Sequence, residues 1–220
     1  MATTLTQFRT RVRERANMEG SQFVTDVELT GYINSSASEL YDLLVSRFAD
    51  YYLSDTAVTV TTGSSIPLPV NFYKLRGLDL DLGGGDYQTL RQFNFSERNK
   101  ATDDLRLLRR GVSQLRYRVQ GNTISLTPAD QATNSYRVWF VPLMPLLVAD
   151  ADSFDGVNGW EEYVVVDAAI KCLQKEESST TDLERQKGAL VKRIEAMAAD
   201  RDAGEPQRLT GPSAYLDRGW

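Results

Sequence analysis

Asp167 is the residue whose surroundings come nearest to those of a catalytic group. It lies in the most apolar helical stretch of the chain, between Val164-Val165-Val166 and Ala168-Ala169. A carboxylate there could do the acid–base work of a hydrolase, for instance one that cuts cell wall. Lys171 stands four residues on, and that spacing pairs the two charges on one helix face and accounts for the acid as structure. The doublets Glu161/Glu162 and Asp103/Asp104 do not converge on one substrate, because neighbours on a helix point about 100° apart. Glu176 and Glu177 read as solvated charges. Gly83-Gly84-Gly85 invites a phosphate-loop reading, but the spaced Gly-Lys-Ser/Thr is missing and Asp86 follows, which repels an anion. The three glycines read instead as a strand-to-strand turn. Cys172, beside Ile170 and Leu173, reads as an ordinary buried thiol.

Two counts narrow the chemistry further. The chain has no histidine and one cysteine. There is thus no imidazole to activate a serine or cysteine or to bind a metal. One cysteine makes neither an internal disulfide nor a structural zinc cage. No cofactor is implied, and the expectation is a protein that is not an enzyme.

The arginines form the other notable pattern. Arg106, Arg109, Arg110, Arg116 and Arg118 fall within thirteen residues that contain no acidic side chain. With Tyr117 among them they could touch nucleic-acid phosphates. They could equally be a solvated strand face, or meet acidic surfaces of a neighbouring subunit. The overall charge favours the last two: 25 basic against 30 acidic residues leave −5, the wrong sign for a phosphate binder. The charge is unevenly spread. Residues 1–50 hold 5 basic and 7 acidic side chains, 51–150 hold 11 and 9, and 151–220 hold 9 and 14.

The elements that must carry these residues follow from periodicity. Leu5, Phe8, Val12 and Ala16 line one helical face, with Gly20 as a stop. Thr25-Asp26-Val27-Glu28 has capping-box spacing and opens a second helix that runs to about Ala49. From Tyr51 the period becomes 2. Val58 and Val60, then Leu78, Leu80 and Leu82, alternate with polar residues, and a short helix is expected over Asn94 to Asp103. Leu115, Tyr117 and Val119 lead through Gly121-Asn122 into Ile124 and Leu126, a hairpin. A last strand runs from Tyr136 to Val141. The helical period returns at Trp160 in a helix apolar over most of its circumference, which suits a central position in a bundle. Thr181-Asp182-Leu183-Glu184 repeats the capping box and opens a helix with the stripe Leu183, Leu190, Ile194 and Met197, ending near Gly204.

The fold class expected is α+β. A bundle of two N-terminal helices (1–50) and two C-terminal helices (151–204) carries a β-rich insertion (51–150), and residues 205–220 form an extended C-terminal arm. The arm is too poor in apolar residues to build a core of its own. It is either a disordered end or a limb whose Tyr215, Leu216 and Trp220 anchor on a partner. No apolar run approaches the ~20 residues that span a bilayer, and the N-terminus lacks a signal core. The chain is expected to stay soluble in the cytoplasm where it is made.

Several stretches resemble the head-to-tail adaptor (connector, or head-completion) proteins of tailed bacteriophages. They are Asp26-Val27-Glu28-Leu29 with Ile33-Asn34 and Ser38-Glu39-Leu40-Tyr41, then Ile66-Pro67-Leu68-Pro69 with Phe72-Tyr73-Lys74-Leu75-Arg76-Gly77. Tyr117-Arg118-Val119-Gln120-Gly121 and Tyr136-Arg137-Val138-Trp139-Phe140-Val141-Pro142 complete the set. The resemblance covers roughly Asp26 to Gly204. It implies a structural virion protein of the neck, a homo-oligomeric ring of commonly twelve subunits beneath the portal that docks the next tail or neck component. Genomic DNA then passes through the channel without specific binding, and no membrane is involved. On that reading Tyr215, Leu216 and Trp220 reach the portal or a neighbour, and Arg109, Arg110, Arg116 and Arg118 make polar contacts between subunits. A ring with an acidic lumen suits the charge, because it repels phosphate and lets DNA slide. The alternatives are a carboxylate-dependent wall hydrolase using Asp167 and a nucleic-acid-binding module using the arginines.

Overall fold

Each helix of the first pair is opened by a threonine. The Thr4 hydroxyl accepts from the backbone N–H of Gln7 (3.3 Å) while the Gln7 side chain accepts from the N–H of Thr4 (3.0 Å), so two orphan donors are satisfied reciprocally. Helix α1, Leu5–Arg15, follows and buries Leu5, Phe8 and Val12. It ends earlier than Gly20: Ala16 is the C-cap and Asn17 turns the chain at φ 54°, a left-handed conformation that Asn tolerates. Thr25 and Glu28 form the expected capping box, and α2 runs over Asp26–Arg47 with Leu29, Ile33, Leu40 and Leu44 on its buried face. The computed structural model describes residues 2–97, 115–157 and 159–199.

Helix α3, Glu162–Lys175, has nine of its fourteen residues buried, and it packs against α1, α2 and the final helix. That helix, α4, spans Thr181–Ala199. The capping box expected from Thr181 to Glu184 is not formed. Thr181 is already helical, and it is the Thr180 hydroxyl that donates to Glu184 (2.7 Å). Ile194 and Ala198 are fully buried, whereas Met197, expected on the inward stripe, is 53% exposed. The end expected near Gly204 lies outside the described residues. Strands β1, Thr3–Thr4, and β10, Ser153–Phe154, pair antiparallel beside α1.

In chain order, the strands between the two helix pairs form two four-stranded sheets. The first, in the order β2-β9-β4-β5, consists of β2 (Ser54–Thr59), β9 (Ser135–Pro142), β4 (Phe72–Gly83) and β5 (Asp86–Thr89), all antiparallel. The second, β3-β8-β7-β6, holds β3 (Ser65–Pro67), β8 (Thr123–Thr127), β7 (Arg116–Gln120) and β6 (Arg91–Gln92), with the last pair parallel. One face of each sheet supplies a shared core: Leu78, Leu80, Tyr136, Val138 and Phe140 from the first, Ile66, Tyr117, Ile124 and Leu126 from the second. Leu82, read as the third inward leucine of β4, is 60% exposed, since the strand is leaving the core for its turn. That turn is Gly83-Gly84-Gly85, and all three residues have positive φ, which explains why glycine occupies each. Of the helix expected over Asn94 to Asp103, one 3-10 turn is seen at Phe95–Glu97; residues 98–103 lie outside the described part.

The class is mixed α+β, four described helices with several antiparallel pairings. The described residues separate into two compact units, one drawn from Met1–Phe48 and Val148–Trp220, the other from Ala49–Leu147.

Candidate functional site

Helix α3 brings Asp167 to the meeting point of three helices, where it is 2% exposed. The Ser36 hydroxyl from α2 donates to its Oδ2 (2.6 Å). Lys171, one turn on, reaches Oδ2 at 2.8 Å, and Lys187 of α4 reaches Oδ1 at 2.6 Å. Both ammonium groups also meet Glu39 of α2, Lys171 at 2.9 Å and Lys187 at 3.3 Å. Tyr163 completes the cluster: its hydroxyl donates to Glu39 (3.1 Å), and Lys187 sits 5.3 Å from its ring centre.

The electrostatics of this cluster favour ions. Burial works against the Asp167 carboxylate, but hydrogen bonds from Lys171, Lys187 and Ser36 outweigh it and hold the acid below its ordinary range. Glu39 is likewise lowered: burial opposes the charge, and the Lys171 bond, with both lysines' charges, prevails. Lys187 is raised, since burial costs it less than Asp167 returns. Burial pushes Tyr163 up to about 12. A general acid needs a carboxyl group that keeps its proton near neutrality, and a general base needs a lone pair open to substrate. The oxygens of Asp167 are bound on both sides by its partners. Two carboxylates and two ammoniums with every charge matched make a polar cross-link of α2, α3 and α4.

Lys171 was legible as the partner of Asp167, but Lys187, Glu39 and Ser36 were not. They lie 20, 128 and 131 residues from Asp167 in the chain. The available signal was Ser36 itself, a polar residue on the buried face that carries Ile33, Ala37 and Leu40.

The other acids are also held. Glu162 pairs with Arg11 (2.6 Å) and with Arg15, while its neighbour Glu161 is buried and accepts from the N–H of Gly156 (3.3 Å). The doublet therefore faces two different ways. Lys175 closes the far end of α3 on the second capping box, reaching Glu28 at 2.8 Å and lying 4.8 Å from the Phe23 ring centre. Cys172 is buried, and burial pushes its thiol up to about 11, which leaves it unreactive. Among the described residues no group of three His, Cys, Asp or Glu could hold a metal ion, and no helix is long and apolar enough to cross a membrane.

Of the contact residues read from the sequence, Arg116 and Arg118 are described. They lie half-buried on β7, opposite Thr127 and Ser125 of β8, and the Arg118 guanidinium stands 5.6 Å from the centre of the Phe95 ring. Arg109, Arg110, Tyr215, Leu216 and Trp220 lie outside the described residues. Compared with curated proteins, the chain has no match. Compared with protein families, residues 3–211 match the model described as SU10 adaptor protein.

Proposed function

The chain belongs to the SU10 adaptor protein family of bacteriophage structural proteins, and from that membership we propose that it is a head-to-tail connector. It forms a homo-oligomeric ring of twelve subunits beneath the portal, around the DNA channel, and docks the next tail or neck component. The observation that carries this reading is the extent of the family match, which takes in both helix pairs and everything between them. As a virion component the protein sits in the neck, between capsid and tail.

The physics supports the role. A subunit that stands in the path of packaged DNA must hold its shape under load, and the cross-link of α2, α3 and α4 adds directional ties to an apolar helix core. A net charge of −5 per copy gives a ring that repels phosphate, so DNA passes without sticking. The helical part, 1–50 with 151–204, packs beside its neighbours. The insertion, 51–150, faces the next tail component, and the arm, 205–220, reaches the portal or an adjacent subunit through Tyr215, Leu216 and Trp220. Arg109, Arg110, Arg116 and Arg118 contact acidic side chains of neighbouring copies.

Electron microscopy of virion necks labelled on this protein tests the reading. The label is expected as a ring between portal and tail, and a label on the capsid lattice or the tail tip overturns it. Deleting residues 205–220 is expected to leave a folded protein that fails to join heads to tails. Infectious particles assembled from the truncated chain would remove the arm from the reading.

A further inference from the structure

The β2-β9-β4-β5 sheet has a second face, turned away from the core. Arg137 on β9 is opposite Asp79 on β4 and Ala57 on β2, and Trp139 is opposite Asp55. The Arg137 guanidinium lies 4.1 Å from the centre of the Tyr87 ring and 5.7 Å from that of Trp139. It donates to the Tyr87 hydroxyl (2.6 Å) and stands 3.5 Å from Asp55. The Trp139 indole N–H donates to Asp79 (2.6 Å), and Asp81 accepts from the N–H of Gly83 (2.8 Å). Aromatic planes and carboxylates are thus fixed in place before any partner arrives, with Tyr87 40% exposed. Asp81 lies opposite Tyr87 on β5, so Asp55, Asp79 and Asp81 share this face with Arg137.

We infer that this face docks the arginine-rich segment 106–118 of a second copy. The inference rests on the ring reading above and names one contact within it. Tyr and Trp beside Arg are the side chains that dominate binding energy at protein interfaces. A surface offering both ring faces and carboxylates selects guanidinium over ammonium, because the planar fork stacks on rings and takes carboxylates two bonds at a time. The segment 106–118 holds five arginines and neither lysine nor acid. Acidic sheet face and basic segment sit on the same chain, so repetition around a ring matches each copy's face with the next copy's arginines.

Cysteine pairing in assembled necks tests this, with Asp81→Cys or Asp55→Cys combined with Arg109→Cys or Arg110→Cys. The one native thiol, Cys172, is buried and adds little background. Mild oxidation is expected to give a ladder of disulfide-linked copies from the double variants and none from the single ones. In parallel, Asp55→Arg with Asp81→Arg is expected to weaken self-association at least tenfold, as is Arg109→Asp with Arg110→Asp, and combining the two reversals to restore it. Arg109→Lys with Arg110→Lys, which keeps the charge, is expected to weaken it as well. Rings that form without a ladder, links only within one chain, or reversals without effect each overturn the contact while leaving the ring intact. A wild-type neck with no ring overturns the ring reading, and the contact with it.

Discussion

Asp167 changes meaning when its surroundings are known. From spacing it had one lysine for a partner; in the folded protein it has two lysines and a serine from three helices. Asp167→Asn is expected to destabilise the protein by about 3 kcal/mol, the low end for a buried ion pair broken on one side. Lys187→Met leaves Lys171 and Ser36 in place and is expected to cost about 1–2 kcal/mol; urea denaturation measures both. If Asp167→Asn proves neutral, the cross-link does not hold these helices. The pH dependence follows from the same groups. Glu28 is lowered from 4.5 to about 2, first by its bond to Lys175 and then by the Thr25 N–H and hydroxyl, and Asp167 and Glu39 are lowered too. A carboxylate with a depressed folded pKa stabilises above its unfolded pKa, and that stabilisation is lost as pH falls. Stability is therefore expected to drop between about pH 4.5 and 2, and Glu28→Gln to flatten that limb of the curve. An unchanged limb would show that Glu28 has no share in it.

The helices were legible as elements because their caps and apolar spacing are local. The Thr25-x-x-Glu28 box and the buried circumference of α3 could be read directly, for side chains three and four apart share a face whatever surrounds them. Boundaries were less legible. Thr181, read as the cap of α4, is already helical, and Asn17 stopped α1 three residues before Gly20. Glycines give a matched pair of tests. Gly188 lies inside α4, and a Cβ there would meet nothing within 4 Å. Gly188→Ala should therefore stabilise the protein by up to about 1 kcal/mol. At Gly156 a Cβ would come within 2.9 Å of the Glu161 side chain and 3.0 Å of its backbone nitrogen. Gly156→Ala should destabilise by about 1–3 kcal/mol. Thermal melts of the two variants should move in opposite directions, and a shared direction refutes the packing around α3.

For the whole molecule, net charge sets the expectation for DNA. At −5 per copy the protein should pass through a duplex-DNA column at about 0.15 M salt. Retention that disappears on reversing Arg106, Arg109 and Arg110 would revive the nucleic-acid reading. The alternation of β4, β7, β8 and β9 was visible in the sequence, as was the turn at Gly83-Gly84-Gly85. The distribution of those strands between two sheets was not, since the parallel β6–β7 pair and the place of β9 between β2 and β4 join residues far apart in the chain. The aromatic and acidic face around Arg137 was missed for that reason. Tyr87, Asp55 and Asp79 come from three strands, and only the register brings them together. The sequence by itself determined the α+β class, the capping box of α2, the central place of α3 and the lack of imidazole chemistry, because composition, caps and periodicity act within a few residues. Tertiary structure alone decided that Asp167 is fully paired and that one sheet face gathers aspartates around an arginine, because those outcomes depend on partners up to 131 residues away.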